Sequence, residues 1–312
     1  MGPPDASKVP RFSNNGGTFA RLPAERDVPS GFDVAIMGVP FDAGCSYRPG
    51  ARFGPGAVRQ ASVLLRPYNQ DADAYPFAAQ QVVDAGDVPC NPFNIEEAVA
   101  AVESSARELL ARCRRKRIVT IGGDHTMSLP LLRAVSAAAG KPVALVHFDS
   151  HLDTWPEYFG ARFTHGTPFR RAWEEGLLLP DRSIHVGIHG PIYSKQDLVE
   201  DAEFGFRVIR AEEFEGGVES IAERIRKRVG DSPVYLSVDI DVLDPAYAPG
   251  TGTPEPGGLS SRELLATIRK LNGLNLVAAD VMEVSPSYDH ADITSLAAAS
   301  VIYEILSLFV RH

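Results

Sequence analysis

Three apolar runs of this sequence lead directly into clusters of aspartate and histidine. The clusters read GGDHT at 122–126, DSHLD at 149–153 and DIDVLDP at 239–245. In an extended chain alternate side chains point to the same side, so Asp149, His151 and Asp153 are expected to share one face. The same spacing places Asp239 and Asp241 together. Carboxylates this close raise one another's pKa unless a cation neutralises them, so the pattern predicts metal binding.

Aspartate and histidine ligands without a cysteine thiolate are typical of sites for Mn²⁺ and related divalent ions. A lone Asp-x-His after a strand is more often a turn cap, but three such clusters favour a metal site. Six ligands exceed the four of a closed tetrahedral zinc site and suit two ions that share carboxylates. Bound ions lower the pKa of water from about 15.7 toward ~7, which provides a nucleophile at neutral pH. The predicted ligands are His125, Asp149, His151, Asp153, Asp239 and Asp241.

The elements that carry these clusters alternate between short apolar strands and longer helices. Predicted strands lie at 33–39, 117–121, 143–148, 184–188, 234–238 and 276–281. Predicted helices lie at 56–65, 95–112, 127–138, 218–229, 260–271 and 294–309. This alternation predicts an α/β fold of three αβα layers with a mostly parallel central sheet, in which ligands bind at the carboxyl ends of the strands. Residues 1–30 are predicted to form an irregular arm, and residues 31–312 a single domain.

The composition restricts the partners of this 312-residue chain. Asp and Glu number 40 against 31 Lys and Arg, which gives a net charge of −9. An acidic protein repels phosphate backbones and anionic lipids, so neither nucleic acid nor a membrane is an expected partner. The three cysteines, Cys45, Cys90 and Cys113, show no metal-type spacing and are expected to be reduced thiols, with Cys45 inert. With no signal-peptide pattern and no apolar run of about 20 residues, a cytoplasmic location is expected.

The chain resembles the ureohydrolase family, which includes agmatinases, arginases, guanidino-acid hydrolases and proclavaminate amidinohydrolase. The resemblance extends over almost the whole chain. It is carried by GVPFD (38–42), RPGARFGP (48–55), GGDH (122–125), DSHLD (149–153), THGTPFR (164–170), SVDID (237–241), PGTGTP (249–254) and MEVSP (282–286). It implies an arginase-like fold, a catalytic domain at 31–312, hydrolysis of a guanidino group to urea and an amine, and a homo-trimer or homo-hexamer.

The resemblance also implies which ion each ligand binds. It implies that His125, Asp149, Asp153 and Asp239 bind one Mn²⁺. The second Mn²⁺ is completed by His151 and Asp241, and Asp149 and Asp239 bridge the two ions. The family usually has Ala where this chain has Ser150, a position expected to point away from the ligands and to change packing only.

Two further residues match catalytic positions of the family. His165 matches its proton-shuttling histidine, and a histidine that titrates near neutrality suits protonation of the leaving nitrogen. Glu283 matches its guanidinium-binding carboxylate, and a carboxylate–guanidinium pair fixes the orientation of the substrate through two hydrogen bonds. His147, inside a predicted strand, is expected to be buried and hydrogen-bonded rather than a ligand.

The segment that follows the second cluster, TWPEYFG at 154–160, bears on the substrate. It lacks the Asn and Ser pattern of arginases, which disfavours arginine. Trp155 and Tyr158 are predicted substrate contacts that, with Glu157, favour the ammonium of agmatine. Arg162, a third predicted contact, favours the carboxylate of 4-guanidinobutyrate or 3-guanidinopropionate.

Agmatine, cleaved to putrescine and urea, is therefore the predicted substrate, and a guanidino acid is the alternative. A non-catalytic regulatory or binding subunit on the same fold is the alternative of another class. The presence of all six ligands together with His165 and Glu283 disfavours that second alternative.

Overall fold

The computed structural model describes residues 1–5, 8–11 and 17–310. Its strands are β1 (Val34–Gly38), β2 (Val82–Asp87), β3 (Arg117–Ile121), β4 (Ala144–Phe148), β5 (Ile184–Ile188), β6 (Arg207–Arg210), β7 (Val234–Asp239) and β8 (Leu276–Met282). They form one eight-stranded sheet in the order β2-β1-β3-β8-β7-β4-β5-β6. Every neighbouring pair of these strands is parallel. All carboxyl ends of the strands therefore lie at the same edge of the sheet.

Helices cover both faces of the sheet. They are α1 (Gly54–Ala61), α2 (Ile95–Arg112), α3 (Ser128–Ala139), α4 (Pro168–Glu174), α5 (Lys195–Phe204), α6 (Val218–Val229), α7 (Ser261–Arg269) and α8 (Ile293–Val310). Alternate side chains of the strands enter two separate hydrophobic clusters. In β1, Val34 and Ile36 pack on the face of α1, α6, α7 and α8, whereas Ala35 and Met37 pack on the face of α2, α3 and α4. The three-layer αβα prediction is confirmed.

The elements that the sequence analysis missed are short, polar or at the edge of the sheet. Strands β2 and β6 are the edges of the sheet, and the last three residues of β2 and three of the four residues of β6 are at least partly exposed. Helix α4 has only seven residues. Helix α5 is polar on nearly all sides, and its one buried residue is Asp201. These segments are short, polar or at the edge of the sheet, so hydrophobic periodicity is weak in them even though Val82, Val83, Phe169 and Ala172 are buried in the core.

Helix α8 is apolar along its whole length. Its 18 residues have a mean hydropathy of 1.9, which is enough by length and composition to cross a membrane. However, 72% of it is buried inside the protein, in the hydrophobic cluster that it shares with α1 and α7. Burial of this kind explains its composition, since a helix surrounded by protein is apolar on all sides.

The described part of the N-terminal segment is fixed to the sheet by backbone donors. The Phe19 amide donates to Asp84 Oδ2 at 2.6 Å, and the Ala20 amide donates to Ser62 Oγ at 2.6 Å. Asp84 also accepts from Arg59 Nε at 2.8 Å and from Arg59 Nη2 at 3.0 Å. This carboxylate is fully buried, so the Arg59 guanidinium is the charge that balances it. The division into an arm and a domain stays a prediction.

Removing one partner of this buried pair should destabilise the protein strongly. Arg59→Ala leaves an uncompensated buried carboxylate, which is expected to cost about 3–5 kcal/mol. Urea unfolding followed by circular dichroism measures this as a lower midpoint. The matched control is Arg107→Ala, which removes an exposed pair with Glu103 and is expected to cost less than ~1 kcal/mol. Equal midpoints for the two variants would contradict the role given to Arg59.

Candidate metal centre and substrate site

The imidazole of His125 lies among three carboxylates at the carboxyl edge of the sheet. Its Nδ1 atom is 3.2 Å from Asp149 Oδ2, 3.0 Å from Asp153 Oδ2 and 3.1 Å from Asp239 Oδ2. All four side chains are buried, none being more than 7% exposed. The structure therefore brings together the four residues that were assigned to the first ion.

The hydrogen bonds on the other side of the ring decide which nitrogen carries the proton. The Ser237 hydroxyl donates to Asp280 Oδ1 at 2.6 Å, so it accepts from His125 Nε2, which lies 2.8 Å away. In the neutral ring the Nδ1 lone pair then faces three carboxylates, and Nδ1 has no hydrogen-bond partner among the described residues. Lone pairs and negative charges directed at one point repel one another unless a cation lies between them. The donor set fits a divalent metal ion.

The pKa of His125 also indicates that these carboxylates favour a positive charge between them. Burial lowers this pKa, but the three carboxylates of Asp149, Asp153 and Asp239 around Nδ1 outweigh burial and raise the pKa well above its ordinary value. A proton on Nδ1 is thus the simplest cation that these carboxylates accept. A metal ion at this position would replace it, because a ligating histidine must be neutral.

A second set of ligand atoms lies beside the first. His151 Nδ1 is 3.2 Å from Asp241 Oδ2 and 3.4 Å from Asp149 Oδ1. Asp149 thus contributes one oxygen to each set, as expected of a bridging ligand. Asp239 contributes Oδ2 to the first set, while its Oδ1 accepts the Asp241 amide at 2.9 Å.

Turns, rather than extended chain, bring these ligands together. Strand β7 ends at Asp239, and Asp241 lies in the 3₁₀ turn that follows. After β4, Asp149 Oδ1 accepts the His151 amide at 2.6 Å, and Asp153 has a left-handed φ of 55°. The expected alternation along an extended strand was the wrong reason for a convergence that the structure does contain.

The two predicted catalytic residues contact each other next to the first set. Glu283 follows β8 with a left-handed φ of 64°, and its Oε1 accepts the His125 amide at 2.9 Å. His165 Nδ1 lies 3.2 Å from the same oxygen. The other oxygen, Oε2, is buried and has no hydrogen-bond partner among the described residues. An unpaired buried carboxylate oxygen is costly, so this atom is available to a cationic ligand.

Two neighbours act on the proton of His165 in opposite directions. Burial lowers its pKa, but the hydrogen bond and the charge of Glu283 outweigh burial and raise the pKa to about 9. Nε2 lies 2.7 Å from the Ser46 hydroxyl oxygen, which can accept its proton in a hydrogen bond, and 3.1 Å from the Ser46 amide, which can donate to Nε2 once that proton has left. Nε2 is therefore the atom at which the ring gains and loses a proton.

An aromatic wall formed by Trp155 and Tyr158 lines a cavity of about 480 Å³ near this site. The ring of Tyr158 is 5.7 Å from that of Trp155 and 6.3 Å from that of His165. Burial, the hydroxyl of Tyr193 and the charge of Asp153 raise the pKa of Tyr158. Tyr158 thus borders both His165 and the cavity, and substrate contact by Trp155 and Tyr158 stays a prediction.

Arg162 does not join this wall. Its Nη2 is paired with Glu174 at 3.0 Å, its side chain is 65% exposed, and it is not among the residues that line the cavity. The structure therefore gives Arg162 a surface ion pair in place of the predicted substrate contact.

The comparisons with known proteins agree with this site. The sequence model of the Arginase family matches residues 32–307. A guanidinopropionase of Pseudomonas aeruginosa is 45% identical over 99% of this chain and 96% of its own length. An agmatinase of Chromobacterium violaceum is 42% identical over 93% and 88%. The crystal structure of proclavaminate amidinohydrolase from Streptomyces clavuligerus superimposes with a TM-score of 0.91 at 45% identity, covering 97% of this chain and 99% of that one.

The chain belongs to the Arginase family. The family-level prediction and the arginase-like fold are both confirmed. Membership makes this chain a guanidino hydrolase, and the family supports a binuclear metal centre at the histidine and aspartate cluster.

A buried chain of polar residues behind the metal ligands was not predicted as a functional unit. His147 Nε2 lies 2.7 Å from Asp149 Oδ2, and its Nδ1 lies 2.8 Å from His185 Nδ1. His185 Nε2 lies 3.3 Å from Asp201 Oδ1, which also accepts the Thr154 hydroxyl at 3.0 Å. The available signal was the presence of histidine in two apolar strands, because His147 and His185 are paired in register between β4 and β5.

Ser150 also differs from its predicted role. Its hydroxyl donates to Asp241 Oδ1 at 2.8 Å and lies 3.0 Å from His151 Nδ1. The side chain therefore points toward two predicted ligands of the second ion, not away from them. A family member with Ala at this position lacks this hydrogen bond, so Ser150 orients Asp241 in this chain specifically.

Replacing a ligand that belongs to the second set alone should remove the second ion and leave the first one bound. Asp241→Ala leaves His125, Asp153 and Asp239 in place, so the folded variant is expected to retain one equivalent of Mn²⁺ where the unmodified protein binds two. Elemental analysis after dialysis measures the stoichiometry. Two tightly bound equivalents in the variant would contradict the assignment of Asp241.

The polar chain behind Asp149 should affect metal affinity without supplying a ligand. Asp201→Ala removes the support of His185, and loss of such an outer contact typically costs about 10–100-fold in metal affinity. Isothermal titration with Mn²⁺ measures the change. Glu203→Gln, which alters an exposed carboxylate of the same helix, is the control and is expected to bind Mn²⁺ like the unmodified protein.

Proposed function

We propose that this chain hydrolyses agmatine to putrescine and urea with two Mn²⁺ ions held by the six predicted ligands. The observation that carries the proposal is the unpaired Oε2 of Glu283, a buried negative oxygen next to the His125 set. A guanidinium group is a planar cation with several N–H donors, which suits a carboxylate with one free oxygen. The proposal thus rests on a binding group and a metal set that share one site.

Glu283 would fix the guanidino carbon beside the metal ligands. Its Oε1 is held by the His125 amide at 2.9 Å, so the carboxylate cannot rotate freely. A substrate bound to Oε2 is consequently kept next to the His125 set. When bound, the two divalent ions would offset the charge of the carboxylates and provide a nucleophile from water at neutral pH.

His165 would supply the proton that the leaving amine needs. Its Nδ1 is held by Glu283, which leaves Nε2 as the atom that exchanges a proton. A guanidinium bound to Glu283 adds positive charge beside the ring, which favours release of that proton. The same carboxylate therefore couples substrate binding to proton transfer.

The cavity along the aromatic wall favours a substrate with a cationic tail. Its lining includes three carboxylates, Glu157, Asp197 and Glu200, and no Lys or Arg side chain among the described lining residues. Trp155 and Tyr158 present aromatic faces, which also attract an ammonium group. The terminal ammonium of agmatine meets both requirements.

One observation favours a guanidino acid as the second candidate. The Arg48 guanidinium lies 5.1 Å from the ring of Tyr47 and 5.2 Å from that of Tyr288. The Arg48 carbonyl accepts from Cys45 Sγ at 3.3 Å, and the Cys45 sulfur lies within 4.8 Å of a Glu283 carboxylate oxygen. A carboxylate tail directed toward Arg48 instead of toward the acidic cavity would find a basic partner there.

The substrate is decided by a comparison of rates. Urea release from agmatine, 4-guanidinobutyrate, 3-guanidinopropionate and arginine is measured with Mn²⁺ present, and the highest kcat/KM is expected for agmatine. A higher kcat/KM for a guanidino acid, with its KM raised in Arg48→Ala, would establish the second candidate. Urea release from none of the four by Mn²⁺-loaded protein would favour the non-catalytic alternative.

His165→Ala tests the proton transfer. Loss of a positioned general acid typically lowers the rate by about 10²–10⁴-fold, so kcat should fall by this order while two equivalents of Mn²⁺ remain bound. Urea release and metal analysis give the two readouts. The control is His290→Ala, an exposed histidine of the loop that follows β8, for which no loss of kcat is expected. An unchanged kcat and pH–rate profile in His165→Ala would overturn the role of His165.

A further inference from the structure

A third cluster of ligand-type side chains lies beside the six predicted metal ligands. Cys45, His165 and Glu283 each offer one atom, and the three atoms lie within 4.8 Å of one another. A thiol, an imidazole and a carboxylate come together here from three separate loops. This cluster includes a sulfur atom, whereas the two sets of predicted ligands at Asp149 offer only nitrogen and oxygen atoms.

The unpaired oxygen of Glu283 indicates that this cluster can accept a ligand. Glu283 Oε2 is buried without a hydrogen-bond partner among the described residues. Gly252 lies close beside it, since a Cβ at that position would approach to 3.3 Å from Cys45 Sγ and 3.3 Å from Glu283 Oε2. The sulfur and the unpaired oxygen thus border the same glycine.

We propose that Cys45, His165 and Glu283 form an inhibitory site for a soft divalent cation such as Zn²⁺. Zinc accepts sulfur, nitrogen and oxygen ligands in tetrahedral geometry, and three protein ligands leave its fourth position to water. Thiolate ligation selects zinc over Mn²⁺, which prefers oxygen ligands. An ion at this site occupies Glu283 and His165 and therefore excludes a guanidinium from the same carboxylate.

The raised pKa of the Cys45 thiol disfavours covalent modification, and a metal ion must displace the thiol proton in order to bind. Burial and the nearby charge of Glu283 raise its pKa to about 12, so at neutral pH it holds its proton and is a weak nucleophile. When the sulfur–zinc bond forms, the S–H bond breaks and the proton is released to water. Atoms and charge balance without any oxidant or other co-reactant.

A binding experiment tests the site without depending on turnover. Mn²⁺-loaded protein is titrated with Cd²⁺, and the ultraviolet absorption of a cadmium–thiolate bond is recorded. One equivalent of this absorption is expected for the unmodified protein and for Cys90→Ser, a matched cysteine variant outside the cluster. Cys45→Ser is expected to lack it. The same absorption in Cys45→Ser, or none in the unmodified protein, would overturn the proposal.

An inhibition experiment tests the consequence and rests on the proposed function. Urea release is measured against Zn²⁺ concentration, each variant being compared with itself without zinc. Loss of even an outer contact costs metal sites about 10–100-fold in affinity, so Cys45→Ser should need at least about tenfold more Zn²⁺ for half-inhibition. Cys90→Ser should match the unmodified protein, and substrate should relieve the inhibition.

Metal analysis separates this mechanism from exchange at the binuclear centre. In the proposed mechanism Mn²⁺ stays bound while zinc inhibits, and a chelator restores activity. Equal inhibition of all three proteins, accompanied by loss of Mn²⁺, would overturn the inhibitory site. If none of the substrates yields urea, the proposed function fails while the cadmium titration still decides whether the cluster binds a soft metal.

Discussion

Four buried carboxylates and two imidazoles converge at one edge of the sheet, and this concentration of charge governs the rest of the site. Burial and the charge of Asp149 raise the pKa of Asp153 to about 6, and burial with the neighbouring carboxylates raises the pKa of Asp239 well above its ordinary value. Such an arrangement is unfavourable unless positive charge lies among the carboxylates. The folded protein thus holds a preformed site for cations. The sheet keeps these carboxylates together despite the unfavourable free energy of their repulsion.

A row of polar residues inside the sheet holds the ligands in place. Asp280, Ser237, His147 and His185 are paired in register across β8, β7, β4 and β5. Ser237 fixes the tautomer of His125, and His147 contacts Asp149. Because adjacent parallel strands are joined by backbone hydrogen bonds, these supports cannot shift independently. The ligands are therefore oriented before any ion arrives.

The substrate side of the site depends on the single side chain of Glu283. One oxygen is held by the His125 amide and contacts His165, and the other is free. The left-handed φ of Glu283 places the carboxylate at this position, and backbone strain of this kind is common at functional sites. The same free oxygen serves the proposed guanidinium and the proposed soft metal, so substrate and inhibitor meet the protein through shared atoms.

The sequence alone determined the fold class, the family and the group of residues that meet. Apolar strands followed by aspartate and histidine predicted the parallel sheet and the edge at which its ligands lie. This was possible because hydrophobic periodicity and the direction of each strand are properties of the local sequence. Edge strand β6 and polar helix α5 escaped prediction, since they bury too little apolar surface to leave a pattern.

Only the tertiary structure decided how the side chains point. Ser150 turned toward Asp241, Arg162 paired with Glu174, and Cys45 approached Glu283 although more than two hundred positions separate them in the chain. Such contacts depend on turn angles and on packing between distant loops, which spacing along the chain does not encode. The tautomer of His125 likewise follows from a hydrogen bond to Ser237, a residue of another strand.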